Sequence, residues 1–328
     1  MNDLPLSVLE LTLVEAGGKA GDTLAATVTT ARRAEELGFR RMWLTEHHGT
    51  PIIASVSPPV LAASYAAATG TIRVGSGGVL VPNHAPLALA EQFLTLSALH
   101  PGRIDLGMGR GPGTFREPVI RALRRGAGIA TDEEYREGVR AVLGFLGDET
   151  SLLPGVERPR PWLLVSSPAG AGLAAELGLP IAVAHHIRPQ STVEVVERYR
   201  AGFRPSRWGA EPYVIVAVRT ICADSDAEAA VLGRPARVLT ENIAKQDDTA
   251  PFPSVAEAAE HVFAPELEEG LAAYHAQQAE GSPETVARQL TAIAARTGAD
   301  ELMLETPVYD PAARARSYEL TVKALRAS

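Results

Sequence analysis

Short apolar runs alternate with longer amphipathic segments along most of the chain. The apolar runs predict strands at residues 5–14, 40–45, 74–81, 104–106, 162–165, 180–184, 213–221 and 300–305. Between them, spacings of three and four predict helices at 22–37, 58–69, 86–99, 131–146, 172–177 and 191–204, then from 283 and over 312–325. The predicted N-terminal caps include Asp22 or Thr23 for the first helix, Thr131 for the fourth and Ser282 for the helix from 283. Strands alternating with helices in this order predict a single (β/α)₈ TIM barrel, with a doubly wound open sheet as the alternative. The first and last strands of a barrel would pair.

The stretch over residues 72–112 carries a strand, a long helix and a second strand. The first strand contains Gly75, Ser76, Gly77 and Gly78, which is expected where the backbone closely approaches another group and side chains are absent to make room. A buried stripe is predicted for the helix, formed by Leu87, Ala90, Leu94 and Ala98.

Four glycines surround Arg110 where the second of these strands ends. They are Gly107, Gly109, Gly111 and Gly113. A guanidinium offers a planar fork of donors, and bare backbone N–H groups beside it suit an anion. The sequence therefore predicts a phosphate site at Arg110.

Other polar residues follow the predicted strands at the same topological place. They are Glu46, His47 and His48 after the second strand, Ser166 and Ser167 after the fifth, His185 and His186 after the sixth, and Glu305 and Thr306 after the eighth. In a barrel these positions converge on the C-terminal rim, where the active sites of this fold lie. Ser166, Ser167 and the helix start at Gly170 are then available to share a phosphate with Arg110, although serines here also cap helices.

The same residues argue against two other types of site. No G-x-G-x-x-G pattern occurs, so a Rossmann dinucleotide site is not supported. Adjacent histidines on a strand point to opposite faces, and no H-x-H or H-E-x-x-H spacing is present, which argues against a catalytic metal. His47 or His48 alone fits a structural role, but Glu46 beside them and their place on the rim favour acid–base chemistry, because imidazole titrates near neutrality.

Composition narrows the partners and the compartment. The 328 residues are 46% hydrophobic, with a formal charge of −8 and one cysteine, Cys222. This charge, without any basic run, argues against nucleic acid, and a lone cysteine forms no internal disulfide. The N-terminal residues show no signal peptide and no membrane-spanning run, so we expect a cytoplasmic protein. Residues 226–281 hold helical pieces without a strand, and we interpret them as an insertion at the barrel mouth.

Several runs resemble the bacterial luciferase-like, flavin-dependent monooxygenases. They are RRMWLTEHH, VGSGGVLVPNHAPLALAEQFLTLSALHPGRIDLGMGRGPG, LLVSSPAGAGLAAELGLPIAVAHHIRP, GSPETVARQL and ADELMLETPVYDPAARARSYEL. The resemblance spans most of the chain as one domain over residues 1–328, leaving out about 226–281. It implies a (β/α)₈ barrel that uses reduced FMN or, in some branches, coenzyme F420.

The resemblance also implies roles for individual residues. His47 stands where the family has its catalytic histidine, with Glu46 as its acidic neighbour. Ser76, Gly77 and Gly78 fall against the flavin ring, where the family carries a non-proline cis peptide. Phosphate binding is implied for Arg110 and for the loop of Ser166, Ser167 and Gly170.

Three positions depart from the family pattern. Gly109 replaces the cysteine of luciferase and Ser166 replaces its glutamate, so light emission is not implied. His185-His186-Ile187 stands where relatives often have S-H-F, on the substrate side.

The implied reaction starts with reduced flavin from a separate reductase. With O₂ the flavin would form a C4a-peroxyflavin that oxygenates a small organic substrate, and family members usually form dimers. Three alternatives stay open: an F420-dependent hydride-transfer enzyme on the same barrel, a non-catalytic flavin-binding partner subunit, and a metal-dependent hydrolase barrel.

Overall fold

A closed barrel of parallel strands, surrounded by helices, forms the centre of the protein in a computed structural model that describes residues 4–147 and 152–327. The strands are β1 (Leu6–Glu10), β2 (Arg41–Leu44), β3 (Arg73–Ser76), β4 (Val79–Leu80), β5 (Ile104–Gly109), β6 (Arg160–Val165), β7 (Ile181–Val183), β8 (Val214–Cys222), β9 (Ala279–Gly281) and β10 (Glu301–Glu305). The order around the barrel is β1, β2, β3, β5, β6, β7, β8 and β10.

Pairing of β10 with both β8 and β1 closes the barrel. Leu9 is paired with Glu305 on one side and with Trp43 on the other, and Glu305 is also paired with Arg219. This confirms the predicted (β/α)₈ barrel and the pairing of its first and last strands. The open-sheet alternative is wrong.

The predicted helices begin and end close to the predicted residues, except the fifth, which begins a turn earlier, at Pro168 and not at residue 172. The helices are α1 (Ala20–Glu36), α2 (Pro58–Ala68), α3 (Pro86–Leu99), α4 (Glu117–Leu123), α5 (Asp132–Phe145), α6 (Pro168–Leu177), α7 (Thr192–Gly202), α8 (Asp226–Leu232), α9 (Arg234–Ala244), α10 (Val255–Glu260), α11 (Pro265–His275), α12 (Pro283–Thr297) and α13 (Pro311–Ala327). No helix among residues 4–147 and 152–327 is long and apolar enough to cross a membrane.

Local capping explains which helix ends the sequence predicts well. α5 begins with a complete capping box, in which the Thr131 side chain accepts from Glu134 N and the Glu134 side chain accepts from Thr131 N. α1 begins at Ala20 without a side-chain cap, so the predicted cap at Asp22 or Thr23 is wrong, and Asp22 lies inside the first turn. The short helix α4 was not predicted.

The third barrel position is divided between β3 and β4 by a cis peptide bond between Gly77 and Gly78, as the resemblance implied. A Cβ on Gly75 would clash with the backbone of Asp105, and one on Gly107 would lie 3.1 Å from the Ser76 carbonyl carbon. These glycines therefore permit a close approach of β3 and β5. The predicted close approach of the backbone is thus confirmed at Gly75, where the group approached is the neighbouring strand β5.

Side chains from alternate strand positions fill the barrel interior in layers. Trp43 and Trp162 meet edge to face, with ring centroids 5.3 Å apart. Below them, at the N-terminal end, the Arg41 guanidinium bonds Asp105 at 2.7 Å and Glu301 at 2.8 Å, and all three side chains are fully buried. This ionic layer and the tryptophans close the lower part of the barrel.

Outside the barrel, α3 packs against it with a face that differs from the predicted stripe. Ala90 and Leu94 are buried, together with Leu89 and Phe93, but Leu87 and Ala98 are exposed. Most residues of α3 are apolar, so the three-and-four spacing alone does not decide which of them face the barrel, and the stripe predicted from it is wrong at Leu87 and Ala98.

Residues between β8 and α12 form helices α8 to α11 and the strand β9, which pairs with β8. The prediction that this segment lacks a strand is wrong. Its loop around Phe252 bridges to Glu15, beyond β1, and the Asp248 carboxylate accepts hydrogen bonds from Thr114 Oγ1 and Phe115 N, both at 3.0 Å. The segment thus contacts loops at the C-terminal end of the barrel.

Candidate active site

A buried carboxylate, Glu46, organises the loop after β2. Its oxygens lie 2.8 Å from His48 Nε2 and 2.9 Å from His84 Nε2, and they accept a hydrogen bond from Leu80 N at 2.9 Å. Burial by itself would raise the pKa of Glu46, but the hydrogen bonds from His48 and His84 outweigh it and lower the pKa. Glu46 is therefore an anion that joins the β2 loop to β4 and to the loop before α3.

His47, the predicted catalytic residue, lies in the same loop, and its hydrogen-bond partners are residues other than Glu46. Its Nδ1 is 3.2 Å from Thr45 Oγ1, and its backbone N–H bonds Ser55 O at 3.0 Å. Burial, with a smaller contribution from His48, lowers the pKa of His47 to about 4. At neutral pH the imidazole is uncharged, so it is suited to accept a proton or a hydrogen bond.

Beside this loop lies the segment predicted to contact the flavin ring. Ser76 is fully buried, and its hydroxyl donates to Gly107 O at 2.8 Å. A Cβ on Gly78 would lie 2.9 Å from Gly107 O and 3.1 Å from Leu164 Cδ2. The Ser76 side chain therefore serves the contact between β3 and β5, and cofactor binding by this segment stays a prediction for its backbone.

The predicted phosphate residues lie on neighbouring strands. β5 pairs with β6 through Met108 and Leu163, and continuing that register puts Arg110 beside the residues that lead into α6. Ser167 caps α6 by accepting from Gly170 N at 3.4 Å, which confirms the capping interpretation. Pro168, Ala169 and Gly170 leave the start of this helix free of bulky side chains.

Arg110 makes an ion pair that was not predicted. Its Nη1 contacts the Asp132 carboxylate at the start of α5, and 49% of the Arg110 side chain and 70% of that of Asp132 are exposed. Such exposed pairs contribute at most about 1 kcal/mol. A phosphate would therefore displace Asp132 from Arg110 at small cost.

A second ion pair lies at the ends of β8 and β10, and sequence reasoning missed its cation. Arg219 donates two parallel hydrogen bonds of 2.8 and 3.1 Å to the Glu305 carboxylate, and its Nη1 donates to Thr240 Oγ1 at 2.6 Å. The signal was present in the sequence: Arg219 continues the alternation of Ile215 and Ala217, which face the barrel interior, as a single charge in an apolar strand.

The two adjacent histidines after β7 have different surroundings. His185 is fully buried between Thr192 Oγ1 and Gln277 O, both at 2.8 Å, so it is structural. His186 is partly exposed, and its Nδ1 lies 3.3 Å from Ala217 O. A carbonyl oxygen only accepts, so Nδ1 carries the proton. Burial lowers the pKa of His186, which leaves it neutral with Nε2 as an acceptor.

Metal ligation has no support from the arrangement of side chains. Among residues 4–147 and 152–327, no three His, Cys, Asp or Glu side chains are placed to hold one ion. Cys222 is buried, and burial raises the pKa of its thiol to about 11.

Comparison with known proteins gives one consistent result. The family described as luciferase-like monooxygenase matches residues 5–301. The chain is 39% identical to the uncharacterized protein YvbT of Bacillus subtilis (strain 168) over 325 residues, 97% of this chain and 96% of that protein. It is 35% identical to the luciferase-like monooxygenase of Escherichia coli (strain K12) over 324 residues, with 97% and 96% covered.

Solved structures share the whole architecture. Apo-MsnO8 matches with a TM-score of 0.91 and 35% identity, over 99% of both chains. The oxygenating constituent of 3,6-diketocamphane monooxygenase, solved with FMN, has a TM-score of 0.74 at 20% identity, with 99% of this chain and 98% of that chain covered, and shows a common fold alone.

Proposed function

The chain belongs to the luciferase-like monooxygenase family, and from that premise we propose that it uses reduced FMN and O₂ to oxygenate a small organic substrate. One observation carries the proposal: the neutral His47, the Gly77–Gly78 segment and the phosphate corner of Arg110 and Ser167 all follow barrel strands at the same end. Catalytic groups of this fold come from that end of several strands.

The donor set at the phosphate corner suits FMN. Arg110 supplies a planar pair of donors, Ser167 a hydroxyl, and the start of α6 supplies N–H groups with small side chains around them. Ser166 lies on the same loop and is partly exposed. A flavin whose phosphate is held by these donors would supply the electrons that activate O₂.

His47 and Glu46 have separate roles in this proposal. His47 is the neutral base at the site, and it holds or accepts a proton at the reacting oxygen. Glu46 is a positioning residue, because both of its oxygens are occupied by His48, His84 and Leu80 N.

Cofactor titration tests the proposal directly. We expect FMN and reduced FMN to bind more tightly than F420, and Arg110→Ala to weaken FMN binding by about 10- to 100-fold without changing riboflavin binding, since riboflavin lacks the phosphate. Arg121→Ala is the matched control, because Arg121 is a similarly exposed arginine paired with Glu117. Tighter binding of F420, with turnover in the absence of O₂, would replace the monooxygenase proposal with the hydride-transfer alternative.

Removal of His47 tests the chemistry. His47→Ala is expected to keep flavin affinity and to lose product, whereas unchanged turnover would exclude His47 from the mechanism. Tight flavin binding by the wild type with no O₂ consumption on any substrate would instead indicate a non-catalytic partner subunit.

Two partners complete the proposal. A separate reductase delivers the reduced flavin, which is consistent with the absence of a G-x-G-x-x-G pattern in the chain. A second copy of the chain covers α2 and α3, where Val60 is 67% and Leu99 64% exposed. Light scattering should give twice the chain mass for the wild type and less for Val60→Glu.

A further inference from the structure

The ion pair of Arg219 and Glu305 lies at the C-terminal ends of two barrel strands, the end that the proposed function takes as the substrate site. Glu305 is paired in register with Arg219 across β10 and β8, at the C-terminal ends of both strands. Met303 and Ala217, two residues earlier on each strand, belong to the cluster inside the barrel. Because strand side chains alternate, Arg219 and Glu305 face the interior one layer above that cluster.

The pair is closed within the chain. Only 7% of the Arg219 side chain and 1% of that of Glu305 are exposed. Both carboxylate oxygens of Glu305 accept hydrogen bonds from the guanidinium, which also donates to Thr240 Oγ1. The Tyr274 ring lies against the guanidinium, with its centroid 5.6 Å from Arg219 Cζ. The charge of Arg219 is thus neutralised before any ligand arrives.

The histidines around this pair add no positive charge. Burial lowers the pKa of His47 to about 4 and also lowers the pKa of His186, so both imidazoles are uncharged at neutral pH, and each interacts electrostatically with Glu305. An anionic substrate group placed here would lose its water without gaining a free cation, which is costly. A neutral polar group meets only hydrogen-bonding partners.

We propose that Glu305 determines substrate choice, because it holds Arg219 and so makes the barrel interior accept an uncharged substrate group and reject a carboxylate or sulfonate. This inference rests on the proposed function only in taking the C-terminal end of the barrel as the substrate site. Glu305 is a specificity residue here and does not take part in proton transfer.

A pair of probes with the same shape tests the inference. Benzamide and benzoate differ at neutral pH mainly in charge, and their binding is measured by calorimetry without flavin or O₂. The wild type should bind benzamide at least as tightly as benzoate. In Glu305→Gln, which keeps the side-chain shape, Arg219 is free to pair with the probe, so the benzoate-to-benzamide affinity ratio should rise on the order of 10- to 100-fold.

Two results would overturn it. One is that the wild type binds benzoate more tightly than benzamide. The other is that folded Glu305→Gln shows the wild-type benzoate-to-benzamide affinity ratio, or binds neither probe. Because Glu305→Gln leaves Arg219 unpaired and buried, folding is checked by circular dichroism. The double variant Arg219→Gln/Glu305→Gln removes both charges of the pair. Its benzoate-to-benzamide affinity ratio should stay within about 3-fold of the wild-type ratio, a margin smaller than the effect of one charge-assisted hydrogen bond. A larger fall in this ratio would show that the native pair attracts anions and would also refute the inference.

The outcome is separable from the proposed function. If Glu305→Gln fails to gain benzoate affinity while wild-type protein binds FMN and consumes O₂, only the role of Glu305 is lost. If FMN does not bind at all, the monooxygenase proposal is lost whatever the probes show.

Discussion

Adding one methyl group at Gly107 should damage the barrel severely. Gly107 lies in β5, opposite the carbonyl of Ser76 in β3. A Cβ there would overlap the Ser76 carbonyl oxygen and would lie 2.9 Å from Leu164 Cδ1 and 3.1 Å from the Ser76 carbonyl carbon. Leu164 can change its rotamer, but the Ser76 carbonyl belongs to a barrel strand and moves only with its backbone.

The cost of Gly107→Ala has two parts. Overpacking in a rigid core costs about 1–3 kcal/mol. Displacing Ser76 also strains its hydroxyl bond to Gly107 O, now 2.8 Å, which contributes about 1 kcal/mol. The expected loss is therefore about 2–4 kcal/mol, a large part of a typical unfolding free energy of about 5–15 kcal/mol.

Urea unfolding measures this loss, followed by circular dichroism and by tryptophan fluorescence from Trp43 and Trp162 inside the barrel. Gly111→Ala is the matched control, because a Cβ there meets only Gly113 N, at 4.0 Å. We expect the control to stay within about 0.5 kcal/mol of the wild type. A Gly107→Ala protein as stable as Gly111→Ala would refute the explanation that β3 and β5 require these glycines.

The remaining predictions concern acid stability, thiol reactivity and capping. Burial lowers the pKa of His185 to about 4, below its unfolded value of about 6.5. The neutral His185 therefore contributes its full stability above pH 6.5, and this contribution is lost as the pH falls to 4, at a rate on the order of 1.4 kcal/mol per pH unit. His185→Gln should flatten that part of the pH–stability curve measured by urea, and an unchanged curve would contradict the assignment. Cys222, 1% exposed, should not react with a thiol reagent at pH 8 until denaturant is added, and rapid native labelling would contradict its burial. Thr131→Ala should cost about 1 kcal/mol in urea unfolding through loss of the α5 capping box, while Thr95→Ala, on the exposed side of α3, should cost less; equal costs would contradict the capping role.

Much of the fold was predictable because its signals are local. The bounds of α3 and the caps at Thr131 and Ser282 follow from side chains within one turn, and the structure has them as predicted. The face that α3 buries was not predictable in the same way. Leu87 and Leu89 are equally apolar, and only the position of the neighbouring α5 and barrel wall decides which of them is exposed.

In the candidate site, too, the positions of residues along the chain were predictable and their distant contacts were not. The order of strands and helices placed Glu46, His47, Arg110 and Ser167 at one end of the barrel. Their partners come from distant segments: Glu46 binds His84, and Arg110 binds Asp132. Arg219 was overlooked because one charge in an apolar strand looks like an exception until β10 supplies Glu305 beside it.

The packed layers at the N-terminal end of the barrel have a kinetic consequence. Trp43 and Trp162 span the axis, and the Arg41, Asp105 and Glu301 layer lies beneath them without solvent exposure. No second exit is left along the axis within these layers. Under the proposed function, flavin, substrate and product would therefore enter and leave through the C-terminal end of the barrel, and a product would have to leave before the next substrate could bind.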